Sequence, residues 1–472
     1  MKRGLLIPVL TILLLAGCRS YDPDIFDARL RSATFETYHE AIVESYPDLD
    51  RVGLDAQTLR DRWELAVVEA GSATEYYHAL GEMCAALDDP HLRLTPNYDL
   101  WSQTDGQLGA TDLRIAMVDG QPRLWNQFHD YALDFTDESF EDIWPDHQED
   151  NLNGWLVESF NGISPDKDVI EDVLNIGPHG TIVEVDLSSP DESSQLTLKR
   201  RRGLNVMIKS PREIDTSNIG SSLFRDATTS TLNAIKERAW EAETSKFHDG
   251  NYLFAWRVDD WGGLVWKTSD TLPGREDIAE LEEDLKAAAE ILDGTSCTLL
   301  DFRYQGGGNG VGFLAMMENL LPTKVDLTAE REWLFFRIRG ILRIEESPSI
   351  MRGPVIILVN EFTASYGEWM TSLIRRECNA TVLGSRTGGC EYCIVNIEGP
   401  DGSKLRFGGE PYTRTEGIPP FQSVGLTPDQ QITMDPADLK SGSMAKALLS
   451  THERQTRTAW LLLEDLCDEA IP

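Results

Sequence analysis

The sequence predicts an α/β protein with a helical opening region, a β-rich middle and a closing run of alternating strands and helices. Three patterns carry that expectation. Apolar residues recur at helical spacing up to about Leu94, short apolar runs alternate from about Asp105 to Arg202, and after Tyr252 strand-like runs such as Val355–Val359 alternate with helical stretches such as Ala364–Arg376. Repeated βαβ units need a mostly parallel sheet with helical layers. A chain of 472 residues, 41% of them hydrophobic, can build two or three cores of ordinary size.

The first residues read as an export signal. Lys2 and Arg3 precede an apolar run from Leu5 to Leu15, and Leu15-Ala16-Gly17-Cys18 closes it, as in a lipoprotein signal peptide. The run is too short for a permanent membrane span. Residues 1–17 are therefore expected to be removed, leaving a lipid on Cys18 that anchors the chain without spanning the bilayer. The expected location is the cell envelope. Arg19, in place of an aspartate after Cys18, fits outer-membrane sorting under enterobacterial rules.

The whole chain carries a formal charge of −36; without Lys2 and Arg3, 41 basic residues face 79 acidic ones, a charge of −38. Such a surface disfavours nucleic acid as a partner, and it says nothing further about function. Six cysteines follow Cys18. Cys390 and Cys393 form a C-x-x-C unit without the second pair or spaced histidines of a zinc site, which leaves a local disulfide or two free thiols. No metal or other cofactor is expected.

Residues 18–100 form the helical region. Its apolar faces are Phe35-Tyr38-Ile42-Tyr46, Leu59-Trp63-Val67 and Tyr76-Tyr77-Leu80-Met83-Leu87, and Pro90 stops the last helix just before His91. Residues 105–205 hold the strand-like runs. With a helical stretch from Lys167 to Leu174, their later part resembles a PDZ-like module, which would bind a peptide as an added strand. Residues 206–251 read as a polar, irregular connector. Residues 252–445 carry the alternating βαβ pattern, and 446–472 a helical tail.

Two strand-to-helix junctions can do chemistry. In the first, Leu299–Phe302 runs into Gly306-Gly307-Gly308, where backbone N–H groups are free to face an anion. The junction lacks a P-loop's Lys-Ser/Thr, so an oxyanion hole suits it better than a phosphate site. In the second, Val355–Val359 leads into Thr363-Ala364-Ser365-Tyr366-Gly367-Glu368, where Ser365 stands at the positive end of a helix dipole. Ser365 and Glu368 also have capping-box spacing, which accounts for both without catalysis. A nucleophilic serine needs a base, and His91, just past a helix stop, is a candidate.

These motifs together resemble peptidase family S41, the C-terminal-processing and tricorn-core-like serine peptidases. Leu87–Leu94 is similar to the family's Asp-Gly-His-Thr base motif, Asp301–Gly308 to its Asp-x-Arg-x-x-Gly-Gly-Gly loop, and Thr363–Glu368 to its nucleophile motif. Val382-Leu383-Gly384, Thr387-Gly388-Gly389 and Gly425–Asp429 follow in the family's order. The resemblance implies a ClpP/crotonase-like catalytic domain acting on polypeptides. It makes Ser365 the nucleophile and His91 the base, with Tyr366 and a glycine among Gly306, Gly307 and Gly308 holding the oxyanion. Where the lysine-dependent branch carries its base, this chain has Cys390, and where the histidine branch carries a glutamate it has Gln422. Pro90 and Leu92 also depart from the pattern beside the histidine. Gln422 can accept a hydrogen bond but cannot offset imidazolium charge. A fold that binds peptides or apolar ligands with little hydrolysis is therefore the alternative reading, and an acyl hydrolase shares the same residues.

Overall fold

The computed structural model describes residues 26–472 apart from 107, 111–113, 119–120, 127–151, 153, 161–176, 190–191, 200, 203–207, 210–215, 268–271, 334–335, 346–347, 410–417, 436–443 and 471–472. The expected signal peptide, Cys18 and the expected helix at Lys167–Leu174 lie outside the described residues.

The opening region forms helices α1 (Ala28–Ser45), α2 (Ala56–Val68) and α3 (Ala73–Ala85). Asp27, Asp55 and Ser72 cap them, each accepting from backbone N–H groups of the first turn, an arrangement worth about 1 kcal/mol apiece. Strand β1 (Arg93–Thr95) and helix α4 (Tyr98–Asp105) follow.

The middle region contains β2 (Leu108–Ala110), β3 (Arg114–Val118), β4 (Gln121–Asn126), β5 (Leu156–Phe160), β6 (Gly177–Pro178), β7 (Ile182–Ser188), β8 (Ser193–Lys199), β9 (Arg201–Arg202) and β10 (Ile208–Lys209). Five of them pair antiparallel in the order β3-β4-β5-β7-β8. The stretch expected to be an irregular connector instead holds α5 (Thr216–Glu241). Its buried stripe is Ala227, Thr231 and Ile235, spaced four apart. Alanine and threonine on that stripe make its periodicity faint in a hydrophobic pattern.

The remaining chain supplies β11 (Ser245–Asp249), β12 (Leu253–Val258), β13 (Trp261–Trp266), α6 (Ile278–Leu292), β14 (Cys297–Asp301), α7 (Gly310–Leu320), β15 (Val325–Trp333), β16 (Phe336–Ile344), β17 (Val355–Val359), α8 (Tyr366–Cys378), β18 (Thr381–Gly384), β19 (Cys393–Glu398), β20 (Lys404–Gly409), β21 (Gln430–Gln431) and α9 (Met444–Ala470). A seven-stranded sheet runs β11-β12-β13-β14-β17-β18-β21; its first three strands are antiparallel and the rest parallel. Every residue of β14 and β17 is buried, as strands covered on both faces require. The two-residue period sorts β17 between two cores. Ile357 and Val359 pack with Phe313, Met370 and Leu373 under α7 and α8, whereas Ile356 and Leu358 pack with Trp256, Ala459 and Leu463 under α5 and α9.

The Asp-x-Arg pair of the glycine loop is structural. Arg303 is almost fully buried, binds Asp301 through Nε (2.8 Å) and Nη2 (2.6 Å), and donates to the His452 carbonyl and to Thr231 and Thr456. The end of β14 is thereby fastened to α5 and α9, so α9 is no loose tail. Asp301→Asn would leave that guanidinium buried and unpaired. A loss of about 3–5 kcal/mol, read as a lower denaturant midpoint, is the expected result.

Candidate active site

Ser365 lies where β17 turns into α8. The turn is stitched to the glycine loop: Asn360 Oδ1 accepts from the Tyr304 and Phe362 N–H groups, Thr363 Oγ1 donates to the Phe302 carbonyl, and Ala364 N–H donates to the Gln305 carbonyl. Glu368 Oε2 accepts the Ser365 N–H at 3.0 Å. The backbone of Ser365 nevertheless departs from that of a capping serine. Asp27, Asp55 and Ser72 cap their helices from extended backbone with φ of −114° to −146°, whereas Ser365 has φ 54° and ψ −123°. A non-glycine residue held there is strained, and such strain gathers at functional positions, as at the nucleophile of a strand–turn–helix elbow.

Gly307 lies against Ser365. A Cβ added to Gly307 would meet Ser365 Cβ at 2.5 Å and Oγ at 2.9 Å, so only glycine lets the loop approach this closely. Its N–H is already bonded to Gln305 Oε1 at 2.6 Å. Among the described residues, no such bond occupies the N–H of Gly306 or Gly308, both exposed. Of the three glycines, those two can therefore serve an anion without losing a bond. Tyr366 opens α8 and stacks on Phe313.

His91 arrives from the other end of the chain. Strand β1, just after it, pairs antiparallel with β20 (Arg93↔Arg406, Leu94↔Leu405) and with β10, in a sheet ordered β10-β1-β20-β19. Its loop is held by Arg51, which binds Asp88 Oδ2 at 2.7 Å and Ser423 Oγ at 3.0 Å, and by Tyr46, which donates to the Leu87 carbonyl. His91 is buried. Desolvation lowers its pKa to about 4, with Asp89 opposing the shift and Arg406 and Arg93 adding to it, so the ring is neutral at pH 7.

Gln422 reaches Asp89. Its Nε2 donates to Asp89 Oδ1 at 2.9 Å, while its Oε1 accepts from the N–H groups of Glu391 (2.8 Å) and Tyr392 (3.3 Å). The same segment meets the serine side, where Glu368 accepts from Thr387 Oγ1, Gly389 N–H and Cys390 N–H. Residues 387–392 thus bridge the nucleophile's helix and the histidine's loop. Burial pushes the Glu368 pKa up to about 7 despite those donors. Cys390 is a free thiol, which burial pushes up, so the C-x-x-C unit is not closed as a local disulfide.

Asp89 and Glu391 were not singled out from sequence. Asp89 had a signal, its place two residues before the histidine; Glu391, which holds the Phe421 and Gln422 N–H groups, had none. The glycines differ sharply in tolerance. A Cβ on Gly367 would come within 2.2 Å of the Gln305 carbonyl oxygen, and one on Gly306 meets nothing within 4 Å. Gly367→Ala is expected to cost about 1–3 kcal/mol in chemical denaturation and Gly306→Ala less than about 0.5 kcal/mol.

Comparison with known proteins finds matches in sequence and in fold. Residues 271–432 match the model of peptidase family S41. Mature CPAF is similar over 93% of this chain and 98% of its own, at 12% identity and a TM-score of 0.57. CPAF complexed with lactacystin covers 93% and 99%, at 11% identity and 0.58. The photosystem II D1 C-terminal processing protease is similar over 88% and 98%, at 18% identity and 0.43. No curated protein matches. Over residues 271–432, which hold the glycine loop, Ser365 and Gln422, the chain is thus similar to peptidase family S41.

Proposed function

We propose that this protein is a lipid-anchored endopeptidase of the cell envelope that cleaves polypeptides with Ser365 as nucleophile and His91 as base. The observation that carries the reading is the strained backbone of Ser365 beneath Gly307, at the head of α8. Capping alone needs no such conformation.

In this mechanism the neutral His91 takes the Ser365 proton as Oγ attacks the scissile carbonyl. The oxyanion is met by the N–H of Tyr366 and of Gly306 or Gly308, at the positive end of α8. His91 then protonates the leaving amine, and water, activated by the same ring, releases the acyl group. The fold fits a ClpP/crotonase-like domain, and the β3-β4-β5-β7-β8 sheet fits a PDZ-like peptide binder whose edge strands β3 and β8 can accept a further strand. Export is supported by Cys297, which is disulfide-bonded, a state favoured in oxidising compartments. The anchor rests on Cys18.

Fluorophosphonate labelling of the soluble form, residues after Cys18, tests the chemistry. Wild type should label, and Ser365→Ala and His91→Ala should each abolish labelling; a folded wild type that stays unlabelled would hand the fold to the binding reading. Because His91 titrates at about 4, the labelling rate should hold down to about pH 5 and fall by half near pH 4, instead of near the ordinary histidine value. In the native host, Cys18→Ala should move the protein from the membrane to the soluble fraction.

A further inference from the structure

We propose that Asp89 is the carboxylate that orients His91 and balances its charge, and that Gln422 serves to hold Asp89 in place. The inference rests on the Ser365–His91 reading and adds the third group that reading lacks.

The geometry is specific. Asp89 is buried; its Oδ1 lies 3.8 Å from His91 Nδ1 and accepts the His91 backbone N–H at 2.9 Å. His91 Nδ1 is itself buried and has no hydrogen-bond partner among the described residues. A buried ring nitrogen without a partner is costly, and a closure of less than 1 Å onto the carboxylate would satisfy it, as catalytic hydrogen bonds tighten when substrate binds. Asp89 is otherwise ringed by donors: Gln422 Nε2 and His91 N–H on Oδ1, and Gly408 N–H on Oδ2. Gln422 cannot turn its oxygen toward them, because that oxygen already accepts two backbone N–H groups. The amide thus presents its NH2 to Asp89. A glutamate at 422 would instead set two carboxylates against each other. The amide of Gln422 thus holds the Asp89 carboxylate without adding a second charge beside it.

Several charged or titratable groups surround the ring. Asp89 comes from its own loop, Arg93 from β1 and Arg406 from β20, while the Cys390 thiol lies close enough to feel Asp89 and both arginines. Among them Asp89 alone favours the imidazolium. Its loss should therefore slow the reaction and also move the acid limb of the rate profile.

The test is the fluorophosphonate labelling rate against pH for wild type, Asp89→Asn, Gln422→Glu, Ser365→Ala and His91→Ala, with thermal melting to confirm folding. Asp89→Asn should label 10²–10⁴-fold more slowly at pH 7, with its acid limb displaced to lower pH, a shift that a merely structural role would not produce. Gln422→Glu should also label more slowly. Wild-type labelling that needs Ser365 and His91 but is indifferent to Asp89→Asn, or is raised by Gln422→Glu, would overturn the role of Asp89 and leave the Ser/His reading intact. A wild type that never labels overturns both. Should Asp89→Asn fail to fold, the phosphonylated wild type with ¹⁵N-labelled histidine decides. A far-downfield Nδ1 proton, protected from solvent exchange, supports the carboxylate contact, and a freely exchanging one overturns it.

Discussion

The candidate site depends on the pairing of three residues of β1 with β20. Ser365 is held by the large sheet and His91 by a loop of the helical opening region, and no local contact in sequence could bring them to one place. The register Arg93↔Arg406 and Leu94↔Leu405 ties the strand after His91 to β20, and residues 387–392 link the histidine's loop, through Gln422 and Asp89, to Glu368 at the head of α8. Because the side-chain period of a strand is two, a slip of one residue would turn the buried Leu94 and Leu405 outward, so the hydrophobic pattern locks the register that carries the histidine. The same contact is built into a core. Leu405, Phe407 and Tyr392 pack among Phe35, Tyr38, Tyr77 and Trp101, so folding of the opening region and assembly of the site are one event.

Burial is the second theme, and it acts with different results on neighbouring groups. Asp401 is fully buried yet satisfied by Tyr76, Tyr77 and Ser403, and its work is to fasten the β19–β20 turn to α3. Arg303 and Asp301 answer each other and hold α9. At His91 the balance is left incomplete: the ring is desolvated, two arginines oppose its charge, and the Asp89 carboxylate stands just beyond hydrogen-bond reach. The Asp401 and Arg303–Asp301 clusters are thus closed by their partners, whereas His91 Nδ1 is left open among the described residues. The strain at Ser365 belongs to the same economy, since the bonds from Asn360, Thr363, Gln305 and Glu368 over-determine a backbone that would otherwise relax.

The sequence alone was enough for the α/β class and for the two strand-to-helix junctions. The apolar run at 355–359 and the largely apolar one at 297–302 mark strands, glycines at 306–308 mark a turn with free backbone N–H groups, and Pro90 marks the helix stop before His91. Helix α5 is faint in the sequence because alanine and threonine share its buried stripe with Ile235, and the β15–β16 hairpin lies outside the strands the pattern predicts. Other questions were settled only by residues remote in the chain. The backbone angle of Ser365, unlike that of the plain caps, is one that Gly307 of the glycine loop has to accommodate. Which glycine N–H groups are free turned on Gln305, and what Gln422 is for turned on Asp89, brought to it across the molecule. Composition and period report what each segment buries, which is local; the partner of a buried polar atom is decided by whichever distant segment the packing delivers, and that only the tertiary structure could decide.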